Sequence, residues 1–219
     1  MGRLVLMDLD NTLINRNGAV TDWVTDFSVA RGLSTEAVQA VSEAVRERAT
    51  PETFEGLRSA LGLAESAVEL WDSYVAGLAA RVVCAPATLS RLDRLRVAGW
   101  SVGVLTNGAT DIQRAKLTAT GILDRVDAVC ISEEAGARKP EPKAFQVAVA
   151  RCGGALLSDV WMVGDNPVTD IAGASGAGLR TIWISAGSDW TSPDHAPDHI
   201  AETAADAADF LLGLPETSR

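Results

Sequence analysis

Residues 86–131 read PATLSRLDRLRVAGWSVGVLTNGATDIQRAKLTATGILDRVDAVCI. Pro86 to Ala98 has the pattern of a helix, with proline in its first turn and Gly99 just past its end. Ser101 to Leu105 is a short apolar strand. Asp111 to Thr120 is helical again and stops at Gly121. Val126 to Ile131 is a second strand. The rhythm continues downstream. A helix over Pro142 to Arg151 precedes a strand over Val160 to Val163. A short helix over Asp170 to Ser175, a strand over Thr181 to Ile184 and a helix over Ala201 to Leu212 follow. Strands alternating with helices imply βαβ units, right-handed crossovers and a parallel sheet. Arg3 to Leu9, with the apolar run Leu4-Val5-Leu6-Met7, reads as a buried strand of the same sheet. The expected fold is α/β, a doubly wound parallel sheet.

Between the first strand and residue 86 the pattern is helical, from about Thr21 to Ala80. Trp23, Val24, Phe27 and Ala30 share a face, and Gly32 follows. Thr50-Pro51 starts a helix, with Thr50 as N-cap. Phe54, Leu57 and Leu61 recur at helical spacing before Gly62. Val68, Trp71, Val75 and Leu78 form a further stripe. Residues 15–85 are thus expected to be a helical domain inserted into an α/β core made of residues 1–14 and 86–219. Hinges are expected near Ile14 to Ala19 and near Cys84 to Ala87.

Composition bounds the partners. The 219 residues are 47% hydrophobic and 22% charged, globular values that allow a sizeable core without disulfides. The net charge of −10 argues against nucleic acid, which needs a basic footprint. No stretch approaches the roughly 18 apolar residues of a membrane helix. Cys84, Cys130 and Cys152 lack metal or redox spacing and read as small hydrophobes in a reducing compartment. The N-terminus does not read as a signal peptide, and Leu6 stands where a myristoylation signal wants Ser or Thr. The expected location is the cytoplasm.

In parallel sheets ligands bind beyond the carboxyl ends of the strands, so the polar residues after each apolar run are candidates. Asp8, Asp10, Asn11 and Thr12 follow the first strand. Thr106, Asn107 and Gly108 follow the second. Arg138-Lys139-Pro140 lies beyond the strand ending at Ile131. Gly164, Asp165, Asn166 and Asp170 follow Val160 to Val163. Clustered carboxylates repel unless a cation neutralises them. Oxygen ligands without His or Cys favour Mg²⁺ over zinc, and Mg²⁺ commonly bridges to a phosphate. Lys139, Thr106, Asn107 and backbone N–H groups near Gly108 would cradle that phosphate. Asp8 and Asp10, two apart in an extended segment, face the same side. One would attack while the other handles protons. The residues therefore read as a Mg²⁺-assisted phosphoryl-transfer site.

D-L-D-N-T at 8–12, T-N at 106–107, K-P at 139–140 and G-D-N-P-V-T-D at 164–170 resemble, in order and spacing, the four motifs of the haloacid dehalogenase-like hydrolase superfamily. The resemblance covers nearly the whole chain and implies a role for each motif residue. Asp8 is the expected nucleophile, forming a phosphoaspartyl intermediate. Asp10 protonates the leaving oxygen and then deprotonates the hydrolytic water. Asp8, the Asp10 backbone carbonyl and Asp165 bind Mg²⁺, and Asp170 orients that shell. Thr106 and Lys139 hold the phosphoryl group, with help from Asn107. The helical insert resembles the family's C1 cap, which closes over the site. The expected activity is hydrolysis of a small soluble phosphomonoester. A dehalogenase is disfavoured because those enzymes lack the second acid, here Asp10. A phosphomutase and a non-catalytic binding module are the other readings.

Other residues read as structural. Gly173, Gly176 and Gly178 follow a helix and precede a strand, the wrong order for a dinucleotide loop. Trp161 and Trp183 belong to the core, and Trp23 and Trp71 to packing in the insert. Trp190 falls in the irregular loop Ser185 to His199, where His195 and His199 are expected to be solvated. Arg46 and Arg48 are expected on a solvent-facing helix surface. Asp170 has the alternative reading of a helix N-cap.

Overall fold

The computed structural model describes residues 3–192 and 196–215. The expectations for Met1-Gly2 and for His195, and the reading of Pro215 to Arg219 as an irregular tail from Glu216 on, fall outside those residues. Six parallel strands form one sheet: β1 (Arg3–Met7), β2 (Trp100–Thr106), β3 (Ala128–Ile131), β4 (Val160–Gly164), β5 (Arg180–Ile184) and β6 (His199–Ala201). Their order is β3-β2-β1-β4-β5-β6. The chain winds outward from β1 in both directions, so the topological switch lies between β1 and β4. The register pairs Met7 with both Val104 and Val163. Asp8, one residue on, donates its N–H to the Val163 carbonyl at 2.9 Å. The residue after β1 and the residue after β4 are therefore held at the mouth of that crevice.

Four helices separate β1 from the rest of the core: α1 (Arg16–Arg31), α2 (Thr35–Arg46), α3 (Pro51–Leu61) and α4 (Ala67–Ala79). Each begins at a cap readable in sequence. Asn15 and Ser34 accept backbone N–H bonds, Thr50 forms a capping box with Thr53 ahead of Pro51, and Ser66 forms one with Glu69. The buried aromatic cluster Trp23, Phe27, Phe54, Trp71 and Tyr74 holds them together. One expectation changes. The stripe on α4 is Leu70, Trp71, Tyr74 and Leu78, whereas Val68 is exposed. Residues 70, 74 and 78 follow i, i+4 spacing, so Tyr74 belongs to the buried face. The segment Ile14 to Ala19, where a hinge is expected, holds the N-cap Asn15 and the first turn of α1, which starts at Arg16.

The helices of the core are α5 (Pro86–Val97), α6 (Thr110–Ala119), α7 (Ser132–Ala135), α8 (Pro142–Arg151), α9 (Gly173–Gly176) and α10 (Ala204–Leu212). A wide π-type turn over Pro167–Ala172 precedes α9. That turn corrects the expected helix start at Asp170: Asn166 is the cap, accepting from the N–H groups of Val168 and Thr169. β6 was expected to be loop. Its His199, expected to be solvated, is half-buried and stacks on Phe210 at 3.7 Å, while Ile200 stays exposed and Ala201 is buried. Trp161 and Trp183 are buried in the sheet, as read from the sequence. Trp190 packs on Trp183 rather than reaching the site. The three cysteines are free, and Cys84 and Cys130 are buried.

Candidate active site

The loops after β1, β2 and β4, together with the segment beyond α7, meet at the carboxyl edge of the sheet, beneath the four inserted helices. They line a cavity of about 510 Å³. Asp8, Asp10, Thr106, Asn107, Lys139, Asp165 and Asp170 all line it. These seven residues, far apart in the chain, are thus at one place.

The carboxylates gather around one buried ammonium. Lys139 Nζ lies 2.6 Å from Asp8 Oδ1 and 2.7 Å from Asp170 Oδ1. Lys139, Asp8 and Asp170 are buried. Asp8, Asp165 and Asp170 each present a carboxylate oxygen within 4.8 Å of the others. Three acids against one lysine is an unbalanced charge. Burial pushes the Asp8 carboxyl up to about 8, with Lys139 pulling it down and Asp170 pushing it further up. Burial, then the Asp170 charge, pushes Asp165 up to about 6. Burial pulls the Lys139 ammonium down, but Asp170 and Asp8 outweigh it and hold it above the ordinary lysine range. The protein has gathered negative charge where water cannot relieve it. An all-oxygen donor set with that surplus fits a hard divalent cation.

Local contacts fix each acid. Asn11 adopts a left-handed conformation (φ 60°) that asparagine tolerates. Its side chain accepts from the Asn17 N–H and so ties the loop after Asp10 to α1. Thr12 Oγ1 donates to Asp165 Oδ1 at 3.4 Å, and Trp183 Nε1 donates to the Asp165 carbonyl at 2.7 Å. Gly164 matters for its size. A Cβ there would fall 2.5 Å from Asp170 Cβ, so only glycine lets that carboxylate turn toward Lys139.

The phosphate cradle differs from its sequence reading. Asn107 Nδ2 donates to the Lys139 carbonyl and its Oδ1 accepts from the Lys139 N–H, each at 3.0 Å. Its amide therefore positions Lys139. The Gly108 N–H, expected to face a phosphate, donates instead to Ser132 Oγ at 3.1 Å. Thr106 is buried and its hydroxyl accepts from Gln113 Nε2 at 2.6 Å.

Two residues of α6 escaped the sequence reading. Lys116 Nζ contacts both oxygens of Asp10, at 2.8 and 3.0 Å, and donates to Gln113 Oε1 at 2.8 Å. Gln113 Nε2 donates to Asp10 Oδ2 at 3.2 Å. Gln113 and Lys116 sit three apart on one helical face, next to buried Ile112 and Leu117. Polar residues inside an apolar stripe were the available signal. Burial lowers the Lys116 ammonium below the ordinary lysine range, with Asp10 opposing. Arg46 and Arg48 are exposed, but only Arg46 belongs to a helix, Arg48 lying in the loop after α2, and both line the cavity rim. Arg16 and Tyr74, unremarked in the sequence, are buried and line its upper wall.

A family model described as haloacid dehalogenase-like hydrolase matches residues 3–178. A phosphoserine phosphatase of Thermus thermophilus is 36% identical over 163 residues, covering 74% of this chain and 64% of that protein. The chain spans between about half and two thirds of the length of the first curated relatives it matches. Among solved structures, a phosphatase from Thermococcus onnurineus superposes with a TM-score of 0.73 at 26% identity, over 96% of this chain and 98% of that one. A 2-haloacid dehalogenase from Pseudomonas syringae superposes at 0.72 and 24% identity, over 97% and 99%, a likeness of fold. The four motifs, their assembly at one sheet edge and the family match agree: the chain belongs to the haloacid dehalogenase-like hydrolase family.

Proposed function

We propose that the protein is a Mg²⁺-dependent phosphatase that hydrolyses a small phosphomonoester through a phosphoaspartyl intermediate on Asp8. The observation that carries this reading is the pairing of two acids, two residues apart, in different environments. Asp8 is buried and gripped by Lys139, whereas Asp10 is partly exposed to the cavity and gripped by Lys116 and Gln113. One acid is set to attack and the other to move protons. A dehalogenase would have no leaving oxygen to protonate and no use for Asp10. Relatives include a phosphoserine phosphatase and a pyrimidine 5′-nucleotidase, which favours phosphate ester chemistry.

Asp8, Asp165 and the backbone carbonyl of Asp10 would hold the Mg²⁺, with Asp170 orienting the shell. Bound there, the ion would neutralise the carboxylates and the phosphoryl oxygens. Asp8 attacks phosphorus in line. Asp10 gives a proton to the departing oxygen and then takes one from the water that cleaves the acyl phosphate. Lys139 and Thr106 hold the phosphoryl oxygens, and Asn107 fixes Lys139. This is positioning and charge stabilisation, as phosphoryl transfer requires. Residues 15–85 act as a cap that screens the cavity from water and selects the leaving group.

The test is phosphate release from a panel of phosphomonoesters with Mg²⁺, with EDTA, and after Mg²⁺ is restored. Activity should vanish in EDTA and return. Turnover that ignores EDTA would refute the metal assignment. A phosphomutase would yield an isomeric phosphate rather than free phosphate.

A further inference from the structure

The upper wall of the cavity carries a cation without a counter-ion. Arg16 is 8% exposed, yet among the described residues no carboxylate lies within ion-pair distance of it. Two of its five N–H groups reach the Arg46 and Val45 carbonyls, at 2.7 and 3.0 Å. The other two buried cations are matched, Lys139 by Asp8 and Asp170 and Lys116 by Asp10. Buried guanidinium groups are normally paired with an anion. Beside Arg16 stands a second unused group. Tyr74 Oη is buried on the cavity wall and has no hydrogen-bond partner among the described residues. Buried hydroxyls are rarely left so. The Arg16 guanidinium is the side chain nearest that hydroxyl in effect, the Asp10 charge also acts on it, and all three groups line the same cavity. Arg46 and Arg48 continue the positive wall to the rim, where exposed Glu47 is the opposing charge.

Resting on the phosphatase reading, we propose that the leaving group carries a second anionic group, a carboxylate or another phosphate, bound by Arg16 and Tyr74. The Arg16 guanidinium supplies the charge and a donor pair, and the Tyr74 hydroxyl supplies a further donor. The substrate is then bipolar in layout: its phosphoryl end sits on Lys139 and the metal, its other anion beneath the inserted helices. Phosphomonoesters of neutral alcohols would leave Arg16 unpaired and bind poorly.

The test uses phosphonates, which bind without turnover, so that it is independent of whether phosphate esters are cleaved. Calorimetry with Mg²⁺ compares carboxyethylphosphonate with hydroxypropylphosphonate, two ligands of matched length. The carboxylate should bind at least about tenfold more tightly, the scale of one charge-assisted contact. Tyr74→Phe and Arg16→Lys should each cut that preference about threefold or more, while affinity for hydroxypropylphosphonate stays within about twofold. Propane bisphosphonate separates a carboxylate site from a phosphate site by which ligand binds more tightly. Equal affinities for the acid and the alcohol, no binding of either, or a preference unmoved in Tyr74→Phe would overturn the proposal. Phosphate release from simple esters would in that case still stand as evidence for the phosphatase reading, and its absence would sink that reading separately.

Discussion

Lys116→Met tests how Asp10 is made ready. Lys116 carries a side chain only 2% exposed and holds both Asp10 oxygens. Methionine fills the volume of the lysine stem but removes the ammonium. Stranding a buried charge costs about 3–5 kcal/mol, but the Asp10 side chain is 20% exposed and keeps Gln113. The substitution also relieves the cost of burying the ammonium. The expected loss of stability is therefore about 1–2 kcal/mol, or a melting shift of roughly 2–8 °C at 2–4 °C per kcal/mol. The effect on rate is larger. General acid–base catalysis is worth roughly 10²–10⁴-fold, and an unanchored Asp10 forfeits the lower part of it. On an alkyl phosphate, where both steps need Asp10, we expect kcat to fall about 10²-fold, about 2.7 kcal/mol, with KM changed less than about threefold. With p-nitrophenyl phosphate, whose phenolate needs no proton to depart, Asp8 should still be phosphorylated at near the parent rate. Water attack, which needs Asp10 as base, should become limiting. Stopped-flow absorbance should then show a burst of p-nitrophenol equal to the enzyme present. A kcat within about threefold of the parent, with no burst, would refute the idea that Lys116 positions Asp10.

Asp8→Asn should remove at least about 10³-fold of turnover. Because the parent carboxyl is buried among other acids, the same variant should melt no lower than the parent in EDTA. A lower melting temperature would mean that Asp8 stabilises the metal-free fold. Gly164→Ala should cost about 1–3 kcal/mol by overpacking and weaken Mg²⁺ binding, since the new Cβ displaces Asp170. Denaturant unfolding and metal titration check both, and parent-like values in each would remove Gly164's steric role. Metal-free stability should depend on pH in a defined sense. The folded carboxyls of Asp8 and Asp165 lie near 8 and 6, above the 3.8 of an ordinary aspartate. The folded state thus holds these protons more tightly than the unfolded chain. Their contribution is full below about 4 and is lost as pH rises through 6 and 8. Melting in EDTA should fall across that window, and Mg²⁺ should raise the melting temperature more at pH 8 than at pH 5. A flat or rising EDTA profile would contradict the burial of unbalanced acids.

What the sequence determined is what depends on local pattern. Apolar runs, helical stripes and glycine or proline punctuation give five of the six strands, from β1 to β5, and three of the four inserted helices, α1, α3 and α4, with α2 read only as part of a helical stretch. The rule that parallel sheets present their ligands at the carboxyl ends gives the motif residues without any coordinates. β6 was missed because three residues with one buried side chain carry too little periodicity to register. Tertiary structure decided which polar groups face one another. Asn107 turned out to hold the Lys139 backbone, and the Gly108 N–H to be taken by Ser132. Lys116, Gln113, Arg16 and Tyr74 look in sequence like ordinary members of helices, because helical spacing says which face a residue occupies but not what the opposite wall presents. Their meaning appears only when α1, α4 and α6 close around Asp10. There, removal of water makes an unmatched charge or an idle hydroxyl expensive enough to be informative.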